Sequence, residues 1–117
     1  MKVLLVEDDE GVREGMAELI SESAPVVSVK TLAEALAALA QEEFGVVIAD
    51  MRLAGVKDGG KQVAERAHAR GAKVILMTGL TQREIERALG GVVPDAVLHK
   101  PFSIDDAVEM LQKLLRE

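Results

Sequence analysis

Val46-Val47-Ile48-Ala49-Asp50 is an unbroken apolar run that ends on a carboxylate. It is far too short to cross a bilayer, which takes roughly 20 residues. Continuous apolarity with β-branched side chains fits a strand buried on both faces of a parallel sheet. Two further runs share this design: Lys2-Val3-Leu4-Leu5-Val6 leads into Glu7-Asp8-Asp9, and Lys73-Val74-Ile75-Leu76-Met77 leads into Thr78. In an open α/β sheet, groups just past the carboxyl ends of neighbouring strands converge on one crevice. The three runs are therefore expected to assemble a cluster of carboxylates. Carboxylates at close quarters require a cation, a shared proton, or both.

Working outward, the segments between these runs read as helices. Val12, Met16, Leu19 and Ile20 recur at helical spacing over about Glu10 to Ser23, although Gly15 within them costs up to ~1 kcal/mol relative to Ala. Pro25 closes the connection to a second strand, Val26-Val27-Ser28-Val29. Thr31-x-x-Glu34 is a capping box that opens a helix with the stripe Leu32, Ala35, Leu36 and Leu39. A glycine-rich loop, Ala54 to Gly60, follows Asp50, and a helix over Lys61 to Arg70 carries only Val63, Ala64 and Ala67 on its apolar side. Gly79 breaks the pattern after Thr78. Thr81-x-x-Glu84 then opens a short helix with Ile85, Ala88 and Leu89, closed by Gly90-Gly91. Ala96-Val97-Leu98-His99 is the fifth strand and reaches Lys100-Pro101; Ser103 caps a last helix with Ile104, Ala107, Val108, Leu111 and Leu115 on one face. Strands alternating with helices predict an α/β, doubly wound parallel sheet of five strands with five helices on its two faces.

Composition narrows the class. The 117 residues fit one domain, able to bury roughly two-thirds of its unfolded surface. Apolar residues make up 49% but Trp and Tyr are absent and only Phe44 and Phe102 are aromatic, so the core must be aliphatic, with Met16 and Met77 in core patterns. The absence of cysteine excludes disulfides, thiolate metal sites and a cysteine nucleophile, and fits a reducing compartment. No export signal and no membrane-length apolar run is visible, so a cytoplasmic location without membrane association is expected. The net charge of −6 opposes direct nucleic-acid binding, which relies on clustered Lys and Arg. Part of that acidity is concentrated at Glu7 to Glu10, which points to a cation site.

From Val3-Leu4-Leu5-Val6-Glu7-Asp8-Asp9 through Asp50 and Thr78-Gly79 to Lys100-Pro101-Phe102, the chain resembles a receiver domain of two-component response regulators, over its whole length, residues 1–117. Each piece is common alone; the combination, in this order and each at a strand end, is specific. The resemblance implies the flavodoxin-like strand order 2-1-3-4-5, a cis Lys100–Pro101 bond, and a phosphoryl group received on Asp50 from a histidine kinase or phosphotransfer protein. The residues suit that chemistry. A carboxylate can accept a phosphoryl group as an aspartyl phosphate, provided the phosphoryl charge is neutralised and its oxygens are positioned. Mg²⁺ prefers oxygen ligands and takes one or two carboxylates plus phosphate oxygen and water. Those ligands would be Asp8 and Asp50, with Glu7 close by and a backbone carbonyl from Arg52. Lys100 would supply a point charge and the Thr78 hydroxyl a neutral donor. Counting forward to the apolar-basic pair Val12-Arg13 places the family's acidic pair at Glu7-Asp8, which leaves Asp9 as a helix N-cap. His68, on a charged helix, and His99, beside Lys100, read as surface residues rather than metal ligands or relay histidines.

Three departures from the family pattern bear on output. Val97 stands where an aromatic residue normally reports phosphorylation, Ala54 replaces a usual proline, and Asp58-Gly59 lies one step further from Asp50 than in the commonest receivers. The longer loop, with Thr78-Gly79, resembles receivers attached to sensor kinases. Arg52 and Leu80 occupy the two positions that tune acyl-phosphate hydrolysis in the family. With no output domain after Glu117, the expectation is a stand-alone receiver signalling to a downstream protein target through the fourth helix, fifth strand and last helix. A pseudo-receiver that binds a partner without being phosphorylated is the alternative; Val97 favours it, while Asp8, Asp50, Thr78 and Lys100 oppose it. An enzyme on this architecture fits less well. An aspartyl phosphatase would need a second Asp as general acid where Arg52 stands. A flavodoxin would need a Ser/Thr/Gly-rich loop after the first strand and aromatics to stack the flavin. The expectation is a signalling module, not an enzyme.

Overall fold

The apolar runs become strands β1 (Val3–Val6), β2 (Val26–Val29), β3 (Val46–Asp50), β4 (Lys73–Thr78) and β5 (Ala96–His99). In the computed structural model, which describes residues 1–53 and 55–117, all four strand pairings are parallel and the order is β2-β1-β3-β4-β5. Ala54, the residue at the usual proline position, lies outside the described residues. The connections are helices α1 (Glu10–Ile20), α2 (Leu32–Gln41), α3 (Gly59–Ala69), α4 (Gln82–Leu89) and α5 (Ile104–Leu115). No helix among the described residues is long and apolar enough to cross a membrane.

Alternation along the central strands splits the core in two. Leu4, Val6, Val47, Ala49, Val74 and Leu76 point to one face, where Ala35 and Leu39 of α2, Val63, Ala64 and Ala67 of α3, and Ile85 and Leu89 of α4 cover them. Val3, Leu5, Val46, Ile48, Ile75 and Met77 point to the other, against Met16 and Ile20 of α1 and Ala107, Leu111 and Leu114 of α5. Each fully buried aliphatic side chain contributes about 1.5–3 kcal/mol, so two faces filled this way fix the register of β1 and β3. That register sets the site: Val6 pairs with Ala49 and Asp50 with Met77, so Glu7, Asp50 and Thr78 all emerge at the same edge of the sheet.

The helix ends follow local chemistry. Asp9 caps α1 by accepting from the Val12 N–H, Thr31–Glu34 and Thr81–Glu84 form the two reciprocal capping boxes, and Ser103 caps α5. Gly90 ends α4 with φ +56, a left-handed conformation that suits glycine. Several boundaries and faces differ from the sequence reading. α1 stops at Ile20 rather than Ser23, because Ser23 and Ala24 both turn back to the Ile20 carbonyl. Val12, at helical spacing with Met16, is 40% exposed: it sits in the first turn of α1, in the wall of the crevice rather than in the core. On α4, Ala88 is exposed, and on α5 Leu114 is buried while Leu115 is only half-buried.

α3 begins at Gly59, two residues earlier than expected, and packs far more tightly than its thin apolar face suggested. Val63, Ala64 and Ala67 are wholly buried. A Cβ added to Gly60 would lie 2.6 Å from the Met51 Cα and 2.8 Å from the Asp50 carbonyl oxygen, and the Gly60 N–H donates to the Met51 carbonyl at 2.9 Å. The helix is thus pressed against the backbone that carries Asp50. Gly15 has a milder version of the same role, with the Ile104 Cδ1 3.3 Å from where its Cβ would be.

These contacts predict opposite signs for two helical glycine-to-alanine changes. Gly60→Ala forces a methyl into backbone atoms and should destabilise by about 1–3 kcal/mol. Gly11→Ala, whose added Cβ would meet only the Asp9 Oδ1 at 3.5 Å, should be neutral or stabilise by up to ~1 kcal/mol through helix propensity. Thermal melts of the two variants decide this; equal melting temperatures would show that α3 can slide away from β3 at no cost.

Candidate functional site

β1 delivers Glu7 and Asp8, and β3, β4 and the turn after β5 deliver Asp50, Thr78 and Lys100, to a crevice at the carboxyl edge of the sheet. Asp50, the last residue of β3, is 7% exposed, and Glu7 and Thr78 are buried to a similar degree. One carboxylate oxygen from each of Glu7, Asp8 and Asp50 lies within 4.8 Å of the other two. Both oxygens of Asp50 are engaged: the Lys100 ammonium donates to Oδ2 at 2.5 Å, and the Arg52 backbone N–H donates to Oδ1 at 3.2 Å. The Thr78 hydroxyl oxygen accepts from the Leu80 N–H at 3.1 Å, which leaves its proton to be donated elsewhere. The Lys100–Pro101 peptide bond is cis.

The β1–α1 loop is held by its own hydrogen bonds. The Glu7 carboxylate accepts from the Asp9 N–H at 3.3 Å, and the Arg13 guanidinium donates to the Glu7 carbonyl oxygen at 3.0 Å. Arg13 was noted in sequence only as a counting landmark; its spacing from Glu7 gives no hint of a contact across the helix start. The Asp50–Lys100 pair divides the crevice into two lobes. One, of about 670 Å³, has Glu7, Asp8, Asp9, Val12, Phe102 and Ile104 in its wall. The other, of about 360 Å³, includes Arg52, Lys57, Thr78 and Leu80. Asp8, Asp50 and Lys100 belong to both. Lys57 had no signal in the sequence beyond its place in the loop after Asp50.

Every residue proposed from sequence for the site lies here: Glu7, Asp8, Asp50, Arg52, Thr78 and Lys100 line one or both lobes. The histidines stay outside it. His99 is exposed, and His68 approaches the Asp95 carboxylate at 3.1 Å, whose same oxygen accepts from the Val74 N–H at 2.7 Å.

Like charge is relieved in two ways. Burial, and then the Asp50 charge, push Glu7 up to about 7, with Asp8 adding to the rise and the Asp9 N–H and Lys100 opposing it. Burial pulls Lys100 down, but its hydrogen bond to Asp50 and the charges of Asp50, Glu7 and Asp8 outweigh this and hold it above the ordinary lysine range. At neutral pH the cluster therefore carries one cation and part of a proton.

The chain belongs to the response regulator receiver domain family, whose model matches residues 3–112. A search of curated proteins finds no match. Among solved structures, a CheY-like response regulator receiver domain protein from Methanospirillum hungatei is 27% identical with a TM-score of 0.84, covering 98% of this chain and 94% of its own. The receiver domain of sensor histidine kinase PA1611 from Pseudomonas aeruginosa, with a magnesium ion in its active-site cleft, is 22% identical with a TM-score of 0.80 over 99% of this chain and 98% of its own. A beryllofluoride-activated DrrB receiver domain is similar at 22% identity and a TM-score of 0.84, covering 99% and 97%.

Glu7 gives a signed pH prediction for the protein without divalent cation. Its folded value of about 7 exceeds the ordinary 4.5, so the folded state holds a proton that the unfolded chain releases between those values. Its contribution to stability is complete below pH 4.5, declines as pH rises to 7, and is lost above that. Glu7→Gln should then melt higher than wild type at pH 8, on the order of 5 °C, with the gap closing towards pH 5. A gap that is the same at both pH values would place the buried proton elsewhere.

Proposed function

We propose that residues 1–117 form one phosphoacceptor signalling module that receives a phosphoryl group on Asp50 from a histidine kinase or phosphotransfer protein in the cytoplasm and passes the signal to a protein target. The observation that carries this reading is the Asp50 carboxylate: buried, oriented through both oxygens, and set beside two further carboxylates and a lysine. An Asp50 oxygen attacks the donor phosphorus. The new O–P bond forms as the bond to the donor's leaving group breaks, the leaving group taking the electron pair and then a proton. Lys100 moves from the carboxylate to a phosphoryl oxygen, and the Thr78 hydroxyl donates to another.

A divalent cation fits the donor set. The clustered ligands are oxygens only, and three carboxylate oxygens within 4.8 Å of one another suit a hard ion more than a thiophilic one. Asp8 and Asp50, with Glu7 and the Arg52 carbonyl, would hold Mg²⁺, as the similar Pseudomonas receiver holds magnesium in its cleft. When bound, the ion would neutralise phosphoryl charge that Lys100 cannot cover alone.

Intact mass after incubation with acetyl phosphate and Mg²⁺ tests the assignment. One phosphoryl group should be added, and EDTA or Asp50→Asn should abolish the gain. No gain on folded wild type would leave the partner-binding pseudo-receiver as the better reading, and labelling of Asp50→Asn would move the site.

The same lobe predicts the lifetime of the modification. Hydrolysis needs a water in line with the bond to Asp50. Leu80 lines that approach and offers no group to orient water, while Arg52 can cover the phosphoryl oxygens. Autodephosphorylation should be slow, and Leu80→Asn or Arg52→Asn should speed it. Decay of wild type within seconds, or unchanged decay in both variants, would refute the shielding argument and leave Asp50 in place.

A further inference from the structure

We propose that Lys57 is a second cationic positioning residue for the incoming phosphoryl group, acting from the loop between β3 and α3; this rests on Asp50 being the phosphoacceptor. Lys57 lines the 360 Å³ lobe together with Asp50, Arg52, Thr78 and Lys100. The two lobes differ sharply in charge. On the α1 side, Glu7, Asp8, Asp9 and Asp50 face Lys100 alone. On the loop side, Arg52, Lys57 and Lys100 outnumber Asp8 and Asp50. A phosphoryl anion entering the crevice is therefore drawn to the lobe that holds Lys57.

The lysine is also available. Lys100 is committed to Asp50, whereas Lys57 makes no ion pair among the described residues. The adjacent Asp58 carboxylate is turned to α3, where it accepts from the Gln62 amide at 3.1 Å, and it forms no ion pair with Lys57. Nor is the segment a free tether. Leu53 and Val56 exchange both backbone hydrogen bonds, at 3.3 and 2.8 Å, and the Gly59 N–H donates back to the Val56 carbonyl at 3.2 Å. Leu53 and Gly59 are buried on either side of this turn. Lys57 is thus anchored by its backbone within the lobe while its ammonium, a compact charge with three donors on a flexible stem, stays free to meet phosphate oxygens.

The test is beryllofluoride binding at saturating Mg²⁺, followed by calorimetry or amide shifts, alongside phosphorylation by acetyl phosphate. Lys57→Ala should weaken beryllofluoride binding about fivefold at low salt. It should raise the acetyl phosphate concentration at half-maximal rate with the limiting rate little changed. Lys57→Arg should restore both, because charge and not packing is at issue. The deficit should shrink at 1 M NaCl, where screening acts within ~3 Å. Wild type that responds to both reagents with Lys57→Ala indistinguishable from it, or a deficit that Lys57→Arg does not rescue, overturns this role alone. Wild type that binds neither reagent overturns the phosphoacceptor reading and this one with it.

Discussion

Three carboxylates brought within 4.8 Å of one another by two strand ends are the constraint on which the rest of this structure turns. At that separation one pair of full charges repels by roughly 3 kcal/mol at an effective dielectric constant of about 20, a large share of the few kcal/mol by which a small domain is stable. The chain does not avoid the repulsion by spreading the groups. Parallel pairing of β1 with β3 places Glu7 and Asp50 side by side as a consequence of filling both faces with aliphatic residues. Relief comes from Lys100, fifty residues further along, and from the proton that Glu7 retains. Both are reversible: the lysine is held to Asp50 by a hydrogen bond, and the proton by a carboxyl raised to about 7.

Most of the architecture was legible because burial on both faces of a sheet leaves a plain trace. β1, β3 and β4 are unbroken apolar runs rich in Val, Leu and Ile, and each leads into a polar residue that stays at the site. The capping boxes at Thr31 and Thr81 marked helix starts to the residue, because their geometry is fixed by hydrogen bonds between neighbours in sequence. What escaped was set by contacts between distant segments. α3 looked weak, since a count of apolar residues cannot show that glycine and alanine let a helix approach a strand closely; Gly60 against Met51 is the case in point. Val12 shares the helical spacing of Met16 and Ile20 yet is 40% exposed, because periodicity carries no information about what covers the first turn of a helix.

The site was legible at a similar level. Reactive side chains at strand ends could be listed from sequence, but the groups that orient them could not. The Arg13 contact with the Glu7 carbonyl and the Arg52 N–H on Asp50 depend on backbone positions. Lys57 belongs to the same class: its presence in the lobe depends on the closed turn between Leu53 and Val56, and no residue pattern announces that turn.

Position 97 and the segment after Thr78 are tied to the rest of the molecule in different ways. Val97 is half-buried, pairs with Leu76 across β4 and β5, and packs on the α2–α3–α4 face of the core. A stiff β-branched side chain there has little area to relocate. The Thr78 hydroxyl, in contrast, is joined to the Leu80 N–H, and Leu80 directly precedes Thr81, the cap of α4. α4 is a helix of 8 residues that buries only Ile85 and Leu89 on an otherwise exposed, charged surface. Its attachment to the core is small compared with that of α3 or α5. α4 is thus joined to the core through two side chains and to the site through the backbone that follows the Thr78–Leu80 hydrogen bond, whereas Val97 contributes packing alone.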